Sequence, residues 1–293
     1  MQPDYESLFD RPVIILAAPR SGSTLLFETL SEAPAVWTIG GESHQFIEGL
    51  RTLNPSYGMV ESNRLLAENA NERITTLLRK RFARMLRDRD GLKFMERQDS
   101  SPLRFLEKTP KNALRQPFLE QIFPGALYVY LYREPRANIS SMMEAWKAGR
   151  WVTYPRLHGW HGMPWSLLLP PGWRELDGRP LQEICAFQWA TANRIISEDL
   201  AKLPPERWMA CQYEDLTADA EVAARQICEF AGIDMDQHFL NHLRAPLPLS
   251  RYTHTAPKAE KWRKNEVEIN SVLDQILDVQ EHCERIVSDR LSS

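Results

Sequence analysis

The chain has 293 residues, of which 43% are hydrophobic and 26% charged, with a formal net charge of −3. That length is enough for one α/β domain with a large core, and the charge argues against a general nucleic-acid or anionic-membrane binder. The acidic first residues lack the pattern of a signal peptide, so we expect a cytosolic protein without a membrane span. Four scattered cysteines predict buried, reduced thiols: Cys185, Cys211, Cys228 and Cys283.

Apolar runs alternate with helical patterns along most of the chain, which predicts a parallel sheet with helices on both faces. Strands are expected at 12–18, 36–39, 104–108, 126–132 and 207–213. Helices are expected at 23–33, 63–89, 112–122, 136–147, 180–200, 218–231, 235–243 and 265–290.

The first strand runs into a hydroxyl-rich turn, residues 19–24, directly before the first helix. Such a turn directs backbone N–H groups and the positive end of a helix dipole at one point, which binds phosphate or sulfate. The turn is close to a Walker A loop, but Ala17 replaces the first glycine and Ser23 replaces the lysine that Mg-nucleotide chemistry needs. Arg20 is the cation instead. An ordinary connection with a surface arginine is the alternative.

The run Pro19-Arg20-Ser21-Gly22-Ser23-Thr24-Leu25-Leu26 resembles the 5′-phosphosulfate loop of sulfotransferases that use 3′-phosphoadenosine 5′-phosphosulfate (PAPS), in its bacterial and tyrosylprotein form. The resemblance spans residues 12 to about 263 and implies a P-loop-like, single-domain fold over 1–293. It also implies PAPS as donor, adenosine 3′,5′-bisphosphate (PAP) as product and no metal. It assigns these loop residues to the nucleotide: Arg20, Ser21, Gly22, Ser23, Thr24 and Leu25.

A second anion site follows the strand at 126–132. Arg133 ends this strand, and Ser141 lies eight residues later in the next helix, the spacing with which the family holds the 3′-phosphate. Because ligands bind at the carboxyl ends of parallel strands, two such sites suit a nucleotide phosphorylated at both positions. The alternative is a local pair between Arg133 and Glu134.

The resemblance implies four further residues that contact the nucleotide. Tyr213, in a Tyr-Glu-Asp-Leu corner, matches a tyrosine beside the adenine, although a packing role at the sheet edge is the alternative. Lys258, Lys261 and Arg263 match, loosely, a loop that closes over the 3′-phosphate; a solvated basic face is the alternative. The histidines show no spacing typical of metal ligands.

In-line sulfuryl transfer to a hydroxyl needs cations for the transferring group, a partner for the departing phosphate and a base. Arg20 and the loop N–H groups suit the first two, and Lys108 matches the family lysine that contacts the sulfuryl group. Pro110 stands where cytosolic relatives carry a catalytic histidine, so the base must lie elsewhere. Glu42, in a Gly-Glu pair like that of the tyrosylprotein branch, is the candidate; His44 is the rival, and a structural role for both stays open.

Residues 149–180 hold four of the nine tryptophans and five prolines without periodicity. A long irregular segment of this kind is typical of a functional loop, so we expect a lid or wall of an apolar acceptor pocket. An insertion folded onto the core is the alternative. The rest would divide into a donor-binding half at 12–147, the remaining core with the closing loop at 181–263 and a C-terminal helix at 264–293.

These features predict sulfuryl transfer from PAPS to a hydroxyl, with a carboxylate base and a sulfate ester as product. The acceptor would be a small-molecule or carrier-bound hydroxyl with an apolar portion, and no nucleic acid is expected as a partner. A Mg-nucleotide-dependent kinase on a related fold and a non-catalytic nucleotide-binding protein are the alternatives. The identity of the acceptor and the oligomeric state stay open.

Overall fold

The computed structural model of the chain describes residues 5, 7–97, 101–252 and 260–291. Its central sheet contains β1 (Val13–Leu16), β2 (Val36–Trp37), β3 (Arg104–Lys108), β4 (Leu127–Tyr132) and, last in the chain, Trp208–Gln212. A short antiparallel pair, β5 (Val152–Tyr154) and β6 (Trp165–Ser166), stands apart, and the fifth sheet strand is therefore β7. The sheet order is β2-β3-β1-β4-β7 and every pairing is parallel.

Helices connect the strands and cover the sheet. They are α1 (Ser23–Leu30), α2 (His44–Glu48), α3 (Glu72–Met85), α4 (Gln116–Ile122), α5 (Pro135–Ala148), α6 (Leu181–Leu200), α7 (Tyr213–Ala218), α8 (Ala220–Ala231), α9 (Gln237–Arg244), α10 (Glu266–Asn270) and α11 (Leu277–Leu291). None of those in the described residues combines the length and the apolar character needed to cross a bilayer.

The core lies on both faces of the sheet, because alternate residues of a strand point to opposite sides. Ile14 and Leu16 of β1 pack into one apolar cluster, whereas Val13 and Ile15 pack into the other. Strands buried on both faces are typical of parallel sheets covered by helices. The predicted fold class, a parallel sheet flanked by helices on both faces, is therefore confirmed. The four cysteines are all buried and unpaired.

Three predicted helices are wrong in extent or continuity. The helix expected at 63–89 is only α3, because the Asn71 side chain caps its first turn. At its other end, the backbone of Arg87 exchanges two 2.9 Å hydrogen bonds with that of Thr38. These bonds require extended backbone, so the helix stops at Met85 despite its continuing polar pattern.

The helix expected at 265–290 is also wrong, because it is broken into α10, a 3₁₀ turn at Leu273–Gln275 and α11. Val272 and Ile276 flank that turn and are both buried. Similarly, the helix expected at 112–122 divides into a 3₁₀ turn at Pro110–Leu114 and α4. Tertiary burial overrides local helix propensity at such breaks.

The tryptophan-rich segment, residues 149–180, packs partly into the core and partly lines a cavity. Trp165 and Trp173 are buried in the core, where the ring of Trp165 meets that of Trp146 edge-on at 5.3 Å. Trp151 and Leu167 of the same segment instead line the large cavity described below. The segment thus forms a wall whose far side is anchored in the core.

Candidate active site

A cavity of about 1890 Å³ opens at the carboxyl edge of the sheet. Most of the predicted site residues line it: Arg20, Gly22, Ser23, Thr24, Leu25, Glu42, His44, Arg133, Ser141, Tyr213 and Lys261. Ser21 and Lys108 are buried directly beneath this surface. Arg263 instead makes ion pairs with Glu260 and Glu266, and Lys258 lies outside the described residues.

The turn between β1 and α1 has the shape of an anion cradle. Arg20 and Gly22 both adopt left-handed backbone conformations, with φ of 67° and 91°, and Ser21 N–H closes the turn on the Ala18 carbonyl at 3.3 Å. Gly22 stands at the N-cap of α1, and no side chain caps this helix. The positive end of α1 is therefore available to an anion in the cavity.

Gly22 is required by its contact with Tyr213. A Cβ atom at Gly22 would lie 2.3 Å from Tyr213 Cδ2, which is closer than real Cβ contacts. The Arg133 guanidinium stacks on the same Tyr213 ring, with its Cζ 4.4 Å from the ring centroid. The ring therefore contacts both the cradle and Arg133, and its role beside an adenine stays a prediction.

Asn138 of α5 holds the backbone of the cradle in place, although no local sequence pattern indicates this residue. Its Nδ2 donates to the Pro19 carbonyl at 2.8 Å, and its Oδ1 accepts from Ser21 Oγ at 2.8 Å. Arg133 Nη1 adds a third tie, donating to the Arg20 carbonyl at 2.8 Å. The Ser21 hydroxyl is therefore engaged below the cradle. Glu134 does not pair with Arg133 but caps α5, accepting from two backbone N–H groups of its first turn.

Positive charge is concentrated in this part of the cavity. Burial lowers the pKa of Arg20, and the neighbouring Arg133 lowers it further. Burial also lowers the pKa of Arg133. The Nε atoms of both arginines are buried without a hydrogen-bond partner among the described residues. Buried N–H donors left in this state favour an anionic ligand.

Lys261 belongs to the same group of cations. Burial and Lys264 lower its pKa, and both Arg133 and Arg20 contribute in the same direction. The segment that carries Lys261 docks on α5, where Asn265 Nδ2 donates to Ser140 Oγ at 2.9 Å. The Ser140 hydroxyl is thus engaged by Asn265, and both Ser140 and its neighbour Ser141 line the cavity.

The cavity has a second, apolar part, and Arg20 contacts a side chain that lines it. Its guanidinium Cζ lies 4.6 Å from the centroid of the Trp151 ring, and its Nη2 donates to the Tyr252 carbonyl at 3.3 Å. Beyond it, apolar side chains form the opposite wall: Trp151, Val152, Leu167 and Leu168. An acceptor with an apolar portion fits such a wall.

Lys108 and Glu42 form the polar centre of that second part. Lys108 Nζ donates to Glu42 Oε1 at 2.7 Å and to Thr24 Oγ1 at 3.0 Å. Glu42 Oε2 lies 3.7 Å from His44 Nδ1, so both candidate bases converge beside the candidate sulfuryl-binding lysine. The pKa of His44 is lowered by burial and by Lys111, which favours the neutral imidazole.

Lys111 belongs to a buried network at the floor of the cavity. Its Nζ donates to both carboxylate oxygens of Glu48, at 2.8 and 2.6 Å, and to Tyr154 Oη at 3.1 Å. Arg115 Nη2 also donates to Glu48, at 2.5 Å. Burial lowers the pKa of Lys111 to about 8. Because its three donors are all engaged, this lysine stabilises the floor rather than offering a site.

Glu107, the residue before Lys108, is a second group that the sequence analysis missed. Its side chain is fully buried, and its Oε1 accepts from Ser43 Oγ at 2.5 Å, Thr109 Oγ1 at 2.8 Å and Asn112 Nδ2 at 3.0 Å. Burial raises its pKa to about 6, although Ser43 and Thr109 oppose the shift. Within the described residues, no three histidine, cysteine or acidic side chains are grouped to hold a metal ion.

The chain is similar to known proteins in sequence and in fold. A family model described as "Sulfotransferase family" matches residues 12–237. Among curated proteins, protein-tyrosine sulfotransferase A of Caenorhabditis elegans is 24% identical over 234 residues, a match that covers 78% of this chain and 52% of that protein. The chain thus spans about half the length of this relative.

Two solved structures share the fold. Sulfotransferase STF9 from Mycobacterium avium superposes with a TM-score of 0.50 at 15% identity, over 92% of this chain and 76% of that one. A sulfotransferase from Alicyclobacillus acidocaldarius gives a TM-score of 0.50 at 14% identity, over 95% and 96% of the two chains. At these identities, the likeness establishes the fold alone.

We predict that Gly22→Ala lowers the affinity for PAP at least about tenfold, because the new methyl group must displace the Tyr213 ring. Isothermal titration calorimetry measures the effect. Gly58→Ala is the matched control, since Gly58 has a φ of 71° but open space around it. It should cost about 1 kcal/mol of stability from backbone strain alone and leave PAP binding unchanged. Unchanged PAP affinity in Gly22→Ala would contradict the account.

A second prediction concerns stability and pH. The raised pKa of Glu107 means that the folded state holds a proton that the unfolded state releases, which stabilises the fold at low pH. This contribution is lost as the pH rises through about 6. The Glu107→Gln variant lacks this contribution. Its free energy of unfolding, relative to that of the wild type, should therefore rise by about 2 kcal/mol between about pH 4 and about pH 8. Urea unfolding across this range measures the difference; a constant offset would show that Glu107 does not titrate in this way.

Proposed function

The chain belongs to the sulfotransferase family, and from that premise we propose that it transfers a sulfuryl group from PAPS to a hydroxyl of an organic acceptor. The products would be a sulfate ester and PAP. The observation that carries the proposal is the pair of half-buried arginines, Arg20 and Arg133, at two neighbouring strand ends; their buried Nε donors have no partner among the described residues. Two anionic groups of one nucleotide would satisfy them.

The donor end would be held by the cradle. The N-terminus of α1, with Ser23 and Thr24 in its first turn, would face the 5′-phosphosulfate, and Arg20 and Lys108 would supply positive charge. The 3′-phosphate would lie against Arg133, Ser141 and Lys261, which all line the cavity. Charge-assisted hydrogen bonds of this kind are about twice as strong as neutral ones.

In the transfer step, the acceptor oxygen forms a bond to sulfur as the bond from sulfur to the 5′-phosphate oxygen breaks. Glu42 would accept the hydroxyl proton on the carboxylate oxygen that Lys108 leaves free, Oε2. Lys108, between Glu42 and Thr24, would stay with the transferring group, and Arg20 would meet the charge that develops on the departing phosphate. His44 remains the rival base, because it lines the same cavity beside Glu42.

The acceptor would approach along the apolar wall formed by Trp151, Val152, Leu167 and Leu168. The curated relative is named for tyrosine in proteins, so phenols belong on any acceptor panel together with aliphatic alcohols and carrier-bound acyl chains. Cytoplasmic residence and the absence of a nucleic-acid partner stay predictions. A Mg-nucleotide-dependent kinase is less well supported, because Ser23 occupies the position of the Walker lysine.

We expect PAP to bind tightly by calorimetry, whereas Mg·ATP does not bind. Arg133→Gln should weaken PAP binding about 10- to 100-fold, because one charge-assisted contact to a phosphate is lost. Its affinity for adenosine 5′-monophosphate, which lacks the 3′-phosphate, should change less than about threefold. Arg225→Gln, on the exposed face of α8, is the charge-matched control. Equal losses for both nucleotides would contradict the assignment of Arg133 to the 3′-phosphate.

We also expect Glu42→Gln to lower kcat about 10²- to 10⁴-fold, since the amide cannot accept the proton, while the affinity for PAP stays within about twofold. His44→Gln should lose less than about tenfold. Turnover of labelled PAPS with a hydroxyl panel measures both variants. The reverse order of effects would move the base to His44, and a wild type that binds PAP without transfer would favour the non-catalytic binding protein.

A further inference from the structure

The turn that carries the two candidate bases wraps around the carboxyl end of β3. Glu107 and Lys108 are consecutive on this strand, so their side chains leave it on opposite faces. Lys108 reaches the α1 side of the sheet, where it bonds Thr24 and Glu42. Glu107 reaches the other side, where it bonds Ser43. Consecutive residues of the strand therefore hold consecutive residues of the turn.

The contacts on the Glu107 side are buried. Ser43 Oγ donates to Glu107 Oε1, and Ser43 N–H donates to Thr109 Oγ1 at 2.8 Å. Thr109 Oγ1 in turn donates to the same Glu107 oxygen, which also accepts from Asn112. All four residues are at most 1% exposed. Buried hydrogen bonds of this kind fix a backbone segment, because an unmade bond leaves a desolvated polar group.

On the amino side of the turn, the Gly40 N–H donates to the Thr38 hydroxyl at 3.1 Å. Gly40 and Gly41 precede Glu42 and offer no side chain to pack, and Gly40 has a φ of 74°. Arg251 Nη1 donates to the Gly40 carbonyl at 2.7 Å, but the Arg251 side chain is 45% exposed. Nearest to Glu42, the Lys108 bond holds its carboxylate on one face, and the Ser43 anchor holds the next residue of the chain on the other.

We propose that Glu107 is a positioning residue: through Ser43, it sets the turn that carries Glu42 and His44 against the lysine that the next residue of β3 provides. This inference rests on the proposed sulfuryl transfer, but it holds for either base, because Ser43 lies between them in the chain. Glu107 touches neither donor nor acceptor; it acts by keeping the base in line with the acceptor hydroxyl. A displacement of about 1 Å at a reacting group can cost about 10²-fold in rate.

The test compares two changes at one position. Glu107→Leu keeps most of the volume and removes every acceptor, so we expect kcat to fall about 10²-fold while KM for PAPS and the affinity for PAP stay within about twofold. Glu107→Gln keeps the oxygen that accepts from Ser43, and kcat should stay within about threefold of the wild type. Glu120→Leu and Glu120→Gln are matched controls, because Glu120 bonds Tyr128 and Arg207 at the opposite end of the sheet. Neither should change kcat.

Ser43→Ala is the second variant, in case Glu107→Leu does not fold. It removes one donor from the cluster, and we expect kcat to fall about tenfold with unchanged affinity for PAP. Full activity of Ser43→Ala or Glu107→Leu would overturn the proposal, as would equal losses of kcat and PAP affinity. Failure of the proposed function is a separate result, since the wild type itself would then transfer no sulfuryl group to any hydroxyl.

Discussion

The position of β1 between β3 and β4 is the constraint on which the site depends. Parallel pairing places Ile15 opposite Lys108 and Leu16 opposite Tyr130, so three neighbouring strands end at one edge of the sheet. Neighbouring strands lie about 4.8 Å apart. The cradle, Lys108 and Arg133 are therefore brought together by backbone hydrogen bonds, before any side chain in the cavity interacts. A change of strand order would separate the two anion sites, even with every motif residue intact.

The electrostatics of this edge are unfavourable without an anion. Burial lowers the pKa of Arg20, Arg133 and Lys261; Arg133 lowers the pKa of Arg20 further, and both arginines lower that of Lys261. The fold tolerates this repulsion because neutral groups hold the two arginines in place. Arg133 donates to the Arg20 carbonyl of the cradle. The ring of Trp151 stacks on the Arg20 guanidinium, and the ring of Tyr213 stacks on that of Arg133. A site held together in this way is pre-organised for phosphate, since the binding groups move little when the ligand neutralises them.

The sequence predicted those features that depend on local pattern. The buried strands, the turn at 19–24 and the cations at the strand ends can be recognised from short runs of residues. Asn138 and Glu107 could not be found in this way. Asn138 meets Ser21 across 117 positions, and Glu107 meets Ser43 across 64, so the tertiary fold alone shows the pairing. The predicted helix ends were wrong for the same reason: α3 stops where the backbone of Arg87 pairs with that of the distant Thr38.

The most direct test of the account is a crystal structure of the chain with PAP bound. We predict that the 3′-phosphate lies within hydrogen-bond distance of Arg133 and Ser141, and that the 5′-phosphate lies on the N-terminus of α1 beside Arg20 and Lys108. A complex in which either phosphate faces away from its arginine would contradict the central claim that both strand ends bind one nucleotide.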